Sequence, residues 1–211
     1  MKIGVLGSGE VGTTLAAGFA AKGHEVKIGT RSESKLAEWK KGAGSKVALG
    51  TFAEAAAFGQ VIVLAVLGKA VEEVLELAGQ ANLKGKALID ATNPLDFSSG
   101  KPVLFVGHTD SLGERVQRLA PEAKVVKAFN TVGNAHMVQP SFPGGTPDMF
   151  ICGNDDAAKA AVTGLCKDLG WPTIDVGGIE LSRSLEELCI LWCAYGIKNG
   201  SWNHAFALLR K

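Results

Sequence analysis

The chain has 211 residues, of which 46% are apolar, and its 22 basic and 21 acidic side chains give a formal net charge of +1. We expect residues 1–211 to form one domain with a sizeable core and, without a basic block, no nucleic-acid partner. The longest apolar run, Val61 to Leu67, is far too short for a membrane span. We therefore expect no membrane partner and a cytoplasmic location.

Short apolar runs alternate with segments of helical spacing along the whole chain. The predicted strands are Ile3 to Leu6, Val26 to Ile28, Lys46 to Ala48, Val61 to Val66, Ala87 to Ile89, Lys124 to Ala128, Asp148 to Cys152 and Thr173 to Val176. The predicted helices are Val11 to Lys22, Ser34 to Lys41, Phe52 to Phe58, Ala70 to Ala78, Asp110 to Leu119 and Asp155 to Leu169. Such alternation predicts an α/β fold with a doubly wound, mainly parallel sheet of the Rossmann type.

Three further segments complete the prediction. Thr92 opens a long loop, and the Gly- and Pro-rich stretch from Asn130 to Pro147 is expected to be another. A C-terminal helical segment is expected at about residues 180–211, with the apolar helical pattern running from Leu181 to Leu209 and glycines bending or interrupting it.

A glycine-rich turn follows the first strand and opens the first helix. Its residues are Gly7, Ser8, Gly9, Glu10, Val11 and Gly12, which fit the pattern G-x-G-x-x-G. In this context the first glycine permits a tight turn, the second lets the backbone approach a pyrophosphate, and the third lets helix and strand pack closely. The turn therefore predicts a dinucleotide site, the alternative being a glycine turn that binds nothing.

The end of the second strand predicts which dinucleotide is bound. NAD-binding proteins usually place an acidic residue there, whereas this chain has Thr30, Arg31 and Ser32, with Lys35 one turn later. The forked guanidinium of Arg31 can hold a 2′-phosphate, Lys35 can add a point charge, and the hydroxyl groups can donate hydrogen bonds. We therefore predict a preference for NADP.

The nicotinamide is expected over the carboxyl ends of the later strands. The residues there are Ala65, Val66, Leu67, Asn93, Pro94, Asn130 and Thr131. The apolar side chains among them would exclude water from the ring, and the polar ones could bind the ribose, the carboxamide or the second substrate. Each polar residue is also a good turn former, so a purely structural role is the alternative.

No motif identifies a catalytic side chain, and the catalytic residues remain unknown. His136 is the histidine expected nearest to the substrate, whereas Lys198 and Asn203 lie five residues apart and would not share a helix face. The four cysteines lack metal-site spacing and are expected to be buried and reduced, so no metal is predicted. Hydride transfer between stacked rings needs proximity more than an acid–base residue.

With these motifs the chain resembles the NADP oxidoreductases dependent on coenzyme F420, and also the cytosolic oxidoreductase domain of the six-transmembrane metalloreductases. The resemblance rests on the two cofactor motifs, on Lys127-Ala128-Phe129-Asn130-Thr131 and on Cys152-Gly153-Asn154-Asp155-Asp156. It implies NADP as cofactor and a deazaflavin or flavin as second substrate. The residues that it assigns to the cofactor are Ser8, Glu10, Val11, Thr30, Arg31, Lys35, Leu67 and Asn130.

The sequence leaves the second substrate open. The favoured interpretation is hydride transfer to or from a deazaflavin or flavin. The alternatives are reduction of a small imine or ketone, and a non-catalytic domain that senses NADPH. Because the segment from Leu181 to Leu209 is so apolar, we also expect it to form a homodimer interface.

Overall fold

A computed structural model describes residues 1–209. The strands are β1 Lys2–Leu6, β2 Glu25–Gly29, β3 Ala48–Gly50, β4 Val61–Leu64, β5 Ala87–Asp90, β6 Leu95–Asp96, β7 Val103–Leu104, β8 Lys124–Lys127, β9 Met149–Gly153 and β10 Thr173–Asp175. The helices are α1 Glu10–Ala21, α2 Ala37–Lys41, α3 Phe52–Phe58, α4 Val71–Ala78, α5 Gln80–Leu83, α6 Leu112–Leu119, α7 Asp156–Asp168 and α8 Ser182–Asn199.

Eight strands form one sheet in the order β10-β9-β8-β5-β4-β1-β2-β3. The six neighbouring strands β8-β5-β4-β1-β2-β3 are parallel to one another. Their spatial order is that of a doubly wound dinucleotide-binding sheet. Strand β9 is antiparallel to β8, and β10 runs parallel to β9. The predicted mainly parallel α/β fold is thus confirmed.

Both faces of the sheet are covered by helices, as the apolar strands require. On one face Leu15 and Phe19 of α1 share a core with Val162 and Leu165 of α7. On the other face α3, α4 and α6 pack against the sheet, with Leu75 among the fully enclosed side chains. The sheet therefore keeps only its strand ends for loops and ligands.

The structure corrects the prediction in several places. The third strand is Ala48–Gly50 instead of Lys46 to Ala48, the second helix is only Ala37–Lys41, and the short helix α5 was not predicted. The loop predicted from Thr92 contains a short antiparallel hairpin, β6–β7, whose two-residue strands are too short to show alternation in the sequence. The C-terminal helix ends at Asn199 because Gly200 adopts a left-handed conformation with φ of 61°. Residues 201–209 fold back without regular structure, and the last two residues of the predicted segment lie outside the described part.

Candidate functional site

A cleft of about 410 Å³ opens at the carboxyl ends of β1, β2 and β4. This is the point where the strand order reverses, and open α/β sheets bind ligands there. Most residues predicted from the sequence to bind the cofactor line it, namely Gly7, Ser8, Gly9, Glu10, Val11, Thr30, Arg31, Ser32, Lys35, Ala65, Val66 and Leu67.

Each of the three glycines of the turn is required for a different structural reason. Gly7 has φ of 128°, and a Cβ there would lie 2.1 Å from the carbonyl oxygen of Ala65. At Gly12 a Cβ would lie 2.1 Å from the carbonyl oxygen of Gly7, so only glycine lets α1 approach the turn. A Cβ at Gly9 would meet no atom of the described residues within 4 Å and would project into open space.

The N-terminus of α1 is suited to an anion. Gly9 is its N-cap, and within residues 1–209 no side chain accepts a hydrogen bond from the first amides. Those amides carry the positive end of the helix dipole and are left for another acceptor, such as a phosphate. The open space at Gly9 is what a close approach of a phosphate requires, so these residues fit a dinucleotide.

Hydroxyl groups connect the glycine turn to the loop after β2. Ser8 Oγ lies 2.8 Å from Thr30 Oγ1, which also accepts a hydrogen bond from the amide of Ser32 at 3.2 Å. Ser32 Oγ lies 3.0 Å from Ser34 Oγ. Thr30 is 8% exposed, so its hydroxyl holds the loop in place, while the neighbouring cations remain at the surface.

Arg31 and Lys35 stand at the outer end of the cleft. Arg31 Nη1 lies 3.1 Å from Glu73 Oε1 of α4, in an ion pair whose side chains are 67% and 54% exposed. Lys35 is exposed and makes no ion pair within residues 1–209. The sequence shows no acid at the tip of β2, and the approach of Glu73 from another element was not predicted.

The remainder of the cleft wall is apolar. Leu67 is 83% exposed there, although it is a large hydrophobic side chain. Four further lining residues were not predicted, namely Phe52, Ala70, Val74 and Ala91. The spacing of Ala70 and Val74 by four residues could have indicated a helix face, but it could not show that this face lines the cleft.

Five predicted residues do not line the cleft, and Gly12 among them serves packing. Asn93 Nδ2 donates to the carbonyl oxygen of Asn130 at 2.8 Å, and Asn130 Nδ2 donates to Asn93 Oδ1 at 3.1 Å and to the carbonyl oxygen of Leu185 at 2.8 Å. The side-chain amides of Asn93 and Asn130 thus join the loops after β5 and β8 to each other, and Asn130 joins them to α8. Pro94 and Thr131 flank this pair, and their role as cofactor ligands stays a prediction.

A buried group of charges lies beside this pair of asparagines. Lys127 Nζ lies 2.9 Å from Asp90 Oδ2 and 3.0 Å from Glu186 Oε1, and all three side chains are at most 1% exposed. Lys127 also donates to the carbonyl oxygen of Thr92 at 2.8 Å, and Glu186 accepts from the amides of Leu112 and Gly113 at 2.9 Å. This charged triad joins β5, β8, α6 and α8.

Burial and the neighbouring charges shift the pKa values of the triad in opposite directions. Burial acts to lower the pKa of Lys127, but the carboxylates of Asp90 and Glu186 outweigh it and raise that pKa above its usual value. Burial raises the pKa of Glu186, although Lys127 and the Leu112 amide oppose the shift. The signal in the sequence for such a site was an acid and a base, Asp90 and Lys127, directly after the buried apolar residues of β5 and β8.

The remaining candidates lie away from the cleft lining. His136 Nε2 is 3.1 Å from Asn203 Oδ1 in the folded-back tail, and Lys198 is exposed at the end of α8. Lys198 and Asn203 share no helix face, as predicted. All four cysteines are buried free thiols, also as predicted, and burial raises the pKa of Cys166 to about 12. Residues 1–209 contain no cluster of three or more His, Cys, Asp or Glu side chains that could hold a metal.

Comparison with known proteins decides the family. The model of the family described as NADP oxidoreductase, coenzyme F420-dependent, matches residues 2–94. The F420-dependent NADP reductase of Methanothermobacter marburgensis is 33% identical over 211 residues, which cover 94% of each chain. This chain belongs to the coenzyme F420-dependent NADP oxidoreductase family. The resemblance predicted from the sequence is therefore confirmed.

Two further relatives of this family member extend the comparison. A crystal structure from Arthrobacter sp. FB24, of a protein assigned as an F420-dependent NADP reductase, matches with a TM-score of 0.94 and 44% identity over the whole of both chains. Metalloreductase STEAP3 of Rattus norvegicus is 31% identical over 188 residues, but the chain spans only 36% of that protein. Among the described residues, no helix of this oxidoreductase has the length and apolar character needed to cross a bilayer.

Proposed function

We propose that this protein transfers hydride between NADP(H), held in the cleft, and a deazaflavin of the coenzyme F420 class. The observation that carries the proposal is the joining in one cleft of a glycine turn, an uncapped helix N-terminus and two cations at the tip of β2. The relatives named as F420-dependent NADP reductases, alike over nearly their whole length, support the deazaflavin as second substrate.

Each part of the cleft has a task in this proposal. The amides of α1 would bind the pyrophosphate, and Arg31 and Lys35 the 2′-phosphate. Leu67, Val66 and Ala65 would exclude water from the nicotinamide and offer an apolar surface to the second ring. When bound, the nicotinamide supplies or accepts the hydride, and the residues of the chain would act by holding the two rings in contact.

The test is an anaerobic assay of NADPH oxidation with a panel of acceptors. Coenzyme F420 is expected to be reduced with matching loss of NADPH, whereas FMN, FAD, a ferric chelate and a cyclic imine serve as competing candidates. Turnover of the imine alone would favour a small-substrate reductase. Tight NADPH binding without turnover of any acceptor would favour a non-catalytic sensor.

We also propose a homodimer in the cytoplasm. The exposed apolar side chains Leu191, Tyr195 and Trp202, between 47% and 57% exposed, support an interface on α8 and the folded-back tail. The four buried, unpaired thiols support a reducing compartment.

A further inference from the structure

The ion pair between Arg31 and Glu73 lies across the outer end of the cleft. Arg31 follows β2, whereas Glu73 belongs to α4, and Val74 of that helix and Ala70 just before it line the cleft. Arg31 Nη1 lies 3.1 Å and 3.3 Å from the two carboxylate oxygens of Glu73. One carboxylate thus already holds the guanidinium that is assigned to the cofactor phosphate.

A 2′-phosphate and the Glu73 carboxylate would compete for Arg31, whose Nη1 already donates to both carboxylate oxygens. The phosphate carries close to two negative charges at neutral pH, and it would be repelled by a carboxylate left beside it. NADH has only a hydroxyl group at this position and leaves the ion pair intact. The ion pair therefore opposes binding of NADPH and has no such effect on NADH.

We propose that Glu73 is a specificity-determining residue that weakens the preference for NADPH by holding Arg31 away from the 2′-phosphate. It acts through Arg31 and is a positioning residue. The inference rests on the proposed role of Arg31 in the preceding section. Because exposed ion pairs of this kind contribute little, we expect an effect of about two- to fivefold in affinity.

The experiment compares Glu73→Gln with Glu72→Gln by fluorescence titration with NADPH and NADH. Glu72 is the matched control, since it is an exposed neighbour on α4 and makes no ion pair within residues 1–209. Glu73→Gln is expected to lower the Kd for NADPH about two- to fivefold and to leave the Kd for NADH unchanged. Glu72→Gln is expected to change neither. A variant that damaged the fold would bind both cofactors more weakly. A change in the Kd for NADPH without a change in the Kd for NADH therefore separates this role of Glu73 from a structural one.

A double variant tests whether Glu73 acts through Arg31. In an Arg31→Ala background, Glu73→Gln is expected to give a smaller gain in NADPH affinity than in the parent protein, because only the direct repulsion between carboxylate and phosphate is left to relieve. A gain of the same size in both backgrounds would overturn the proposal, because Glu73 would then act by direct repulsion alone. Equal behaviour of the Glu73 and Glu72 variants in the parent protein would overturn it as well.

The same titrations distinguish failure of this inference from failure of the proposed function. If Arg31→Ala removes the NADPH preference while Glu73→Gln matches its control, only the role of Glu73 is wrong. If Arg31→Ala leaves the preference unchanged, the assignment of the 2′-phosphate to Arg31 is wrong, and the role of Glu73 fails with it.

Discussion

At the scale of single residues, the two cations of the cleft are expected to decide the choice of cofactor. Hydrogen bonds to charged groups contribute about 1.5–3 kcal/mol each, and exposure and salt push this toward the low end. Arg31 and Lys35 together are expected to favour NADPH over NADH by roughly 2–4 kcal/mol, or about thirtyfold to a thousandfold. Arg31→Ala should remove more of this preference than Lys35→Ala, because a planar fork fits phosphate oxygens better than a point charge.

The measurement is a titration of each protein with both cofactors at two salt concentrations. NADH binding should stay close to that of the parent, since the glycine turn is untouched, and the preference should shrink as salt rises. Equal affinity of the unmutated protein for NADPH and NADH would contradict the assignment of both cations.

Gly9 tests the phosphate site without disturbing the fold. Its φ of −75° suits any residue, and a Cβ there meets no atom within 4 Å in the part of the chain that the structure describes. Gly9→Val is therefore expected to keep its thermal unfolding temperature within a few degrees while losing measurable binding of NADPH and NADH alike. Calorimetry would measure the unfolding temperature, and titration would measure the binding of NADPH and NADH.

Gly164→Val is a suitable control, since Gly164 is an exposed glycine of α7 with the same open surroundings. It should bind both cofactors normally. Normal NADPH binding by Gly9→Val would show that no phosphate approaches this turn.

At the scale of elements, the charged triad connects the strands to the helices beside the cleft. Lys127→Met would leave Asp90 and Glu186 buried without their cation. Removing one partner of a buried ion pair typically costs about 3–5 kcal/mol of the free energy of unfolding. Urea unfolding of this variant is expected to show a loss in that range.

Lys124→Met is the matched control from the same strand, because Lys124 pairs with Asp155 at a partly exposed position. Its cost in the free energy of unfolding should be about 1 kcal/mol or less.

The stabilisation that the triad gives depends on pH, because the folded protein raises the pKa of Lys127. The contribution of Lys127 to stability is complete below the usual lysine pKa of 10.5 and is lost as the pH rises through the higher pKa of the folded state. The gap between parent and Lys127→Met should thus be constant near neutral pH and close under strongly alkaline conditions. A cost no larger than that of the control would contradict the buried triad.

At the scale of the whole molecule, the C-terminal part leaves apolar surface uncovered. Trp192 is only 9% exposed, because it packs against Trp202 and His204 of the tail that folds back beyond Gly200. Leu191 and Tyr195 remain more than half exposed, four residues apart on one face of α8. Light scattering at micromolar concentration is expected to give the mass of a dimer, and Leu191→Glu combined with Tyr195→Glu should give a monomer.

Leu77→Glu serves as a control for this experiment, since Leu77 is also a half-exposed leucine but lies on α4. It should leave the dimer intact. A parent protein that is monomeric at micromolar concentration would mean that this face of α8 does not form a homodimer interface.

The sequence by itself determined the alternation of strands and helices, the dinucleotide turn and the cations after β2. These features depend on local periodicity and on glycine conformations that neighbouring residues specify. It also indicated where the polar residues of the later strands lie, but not that Asn93 and Asn130 bond to each other. The two-residue strands of the hairpin were too short to leave a periodic signal.

Only the tertiary structure decided which distant residues meet. Arg31 and Glu73 are 42 residues apart, and the triad unites β5 and β8 with a helix near the C-terminus. Such contacts depend on strand order and on the way helices pack over the sheet, which no local pattern encodes. Whether a charge is solvated, paired or buried follows from those contacts, and so the electrostatics of the cleft could be read only from the folded chain.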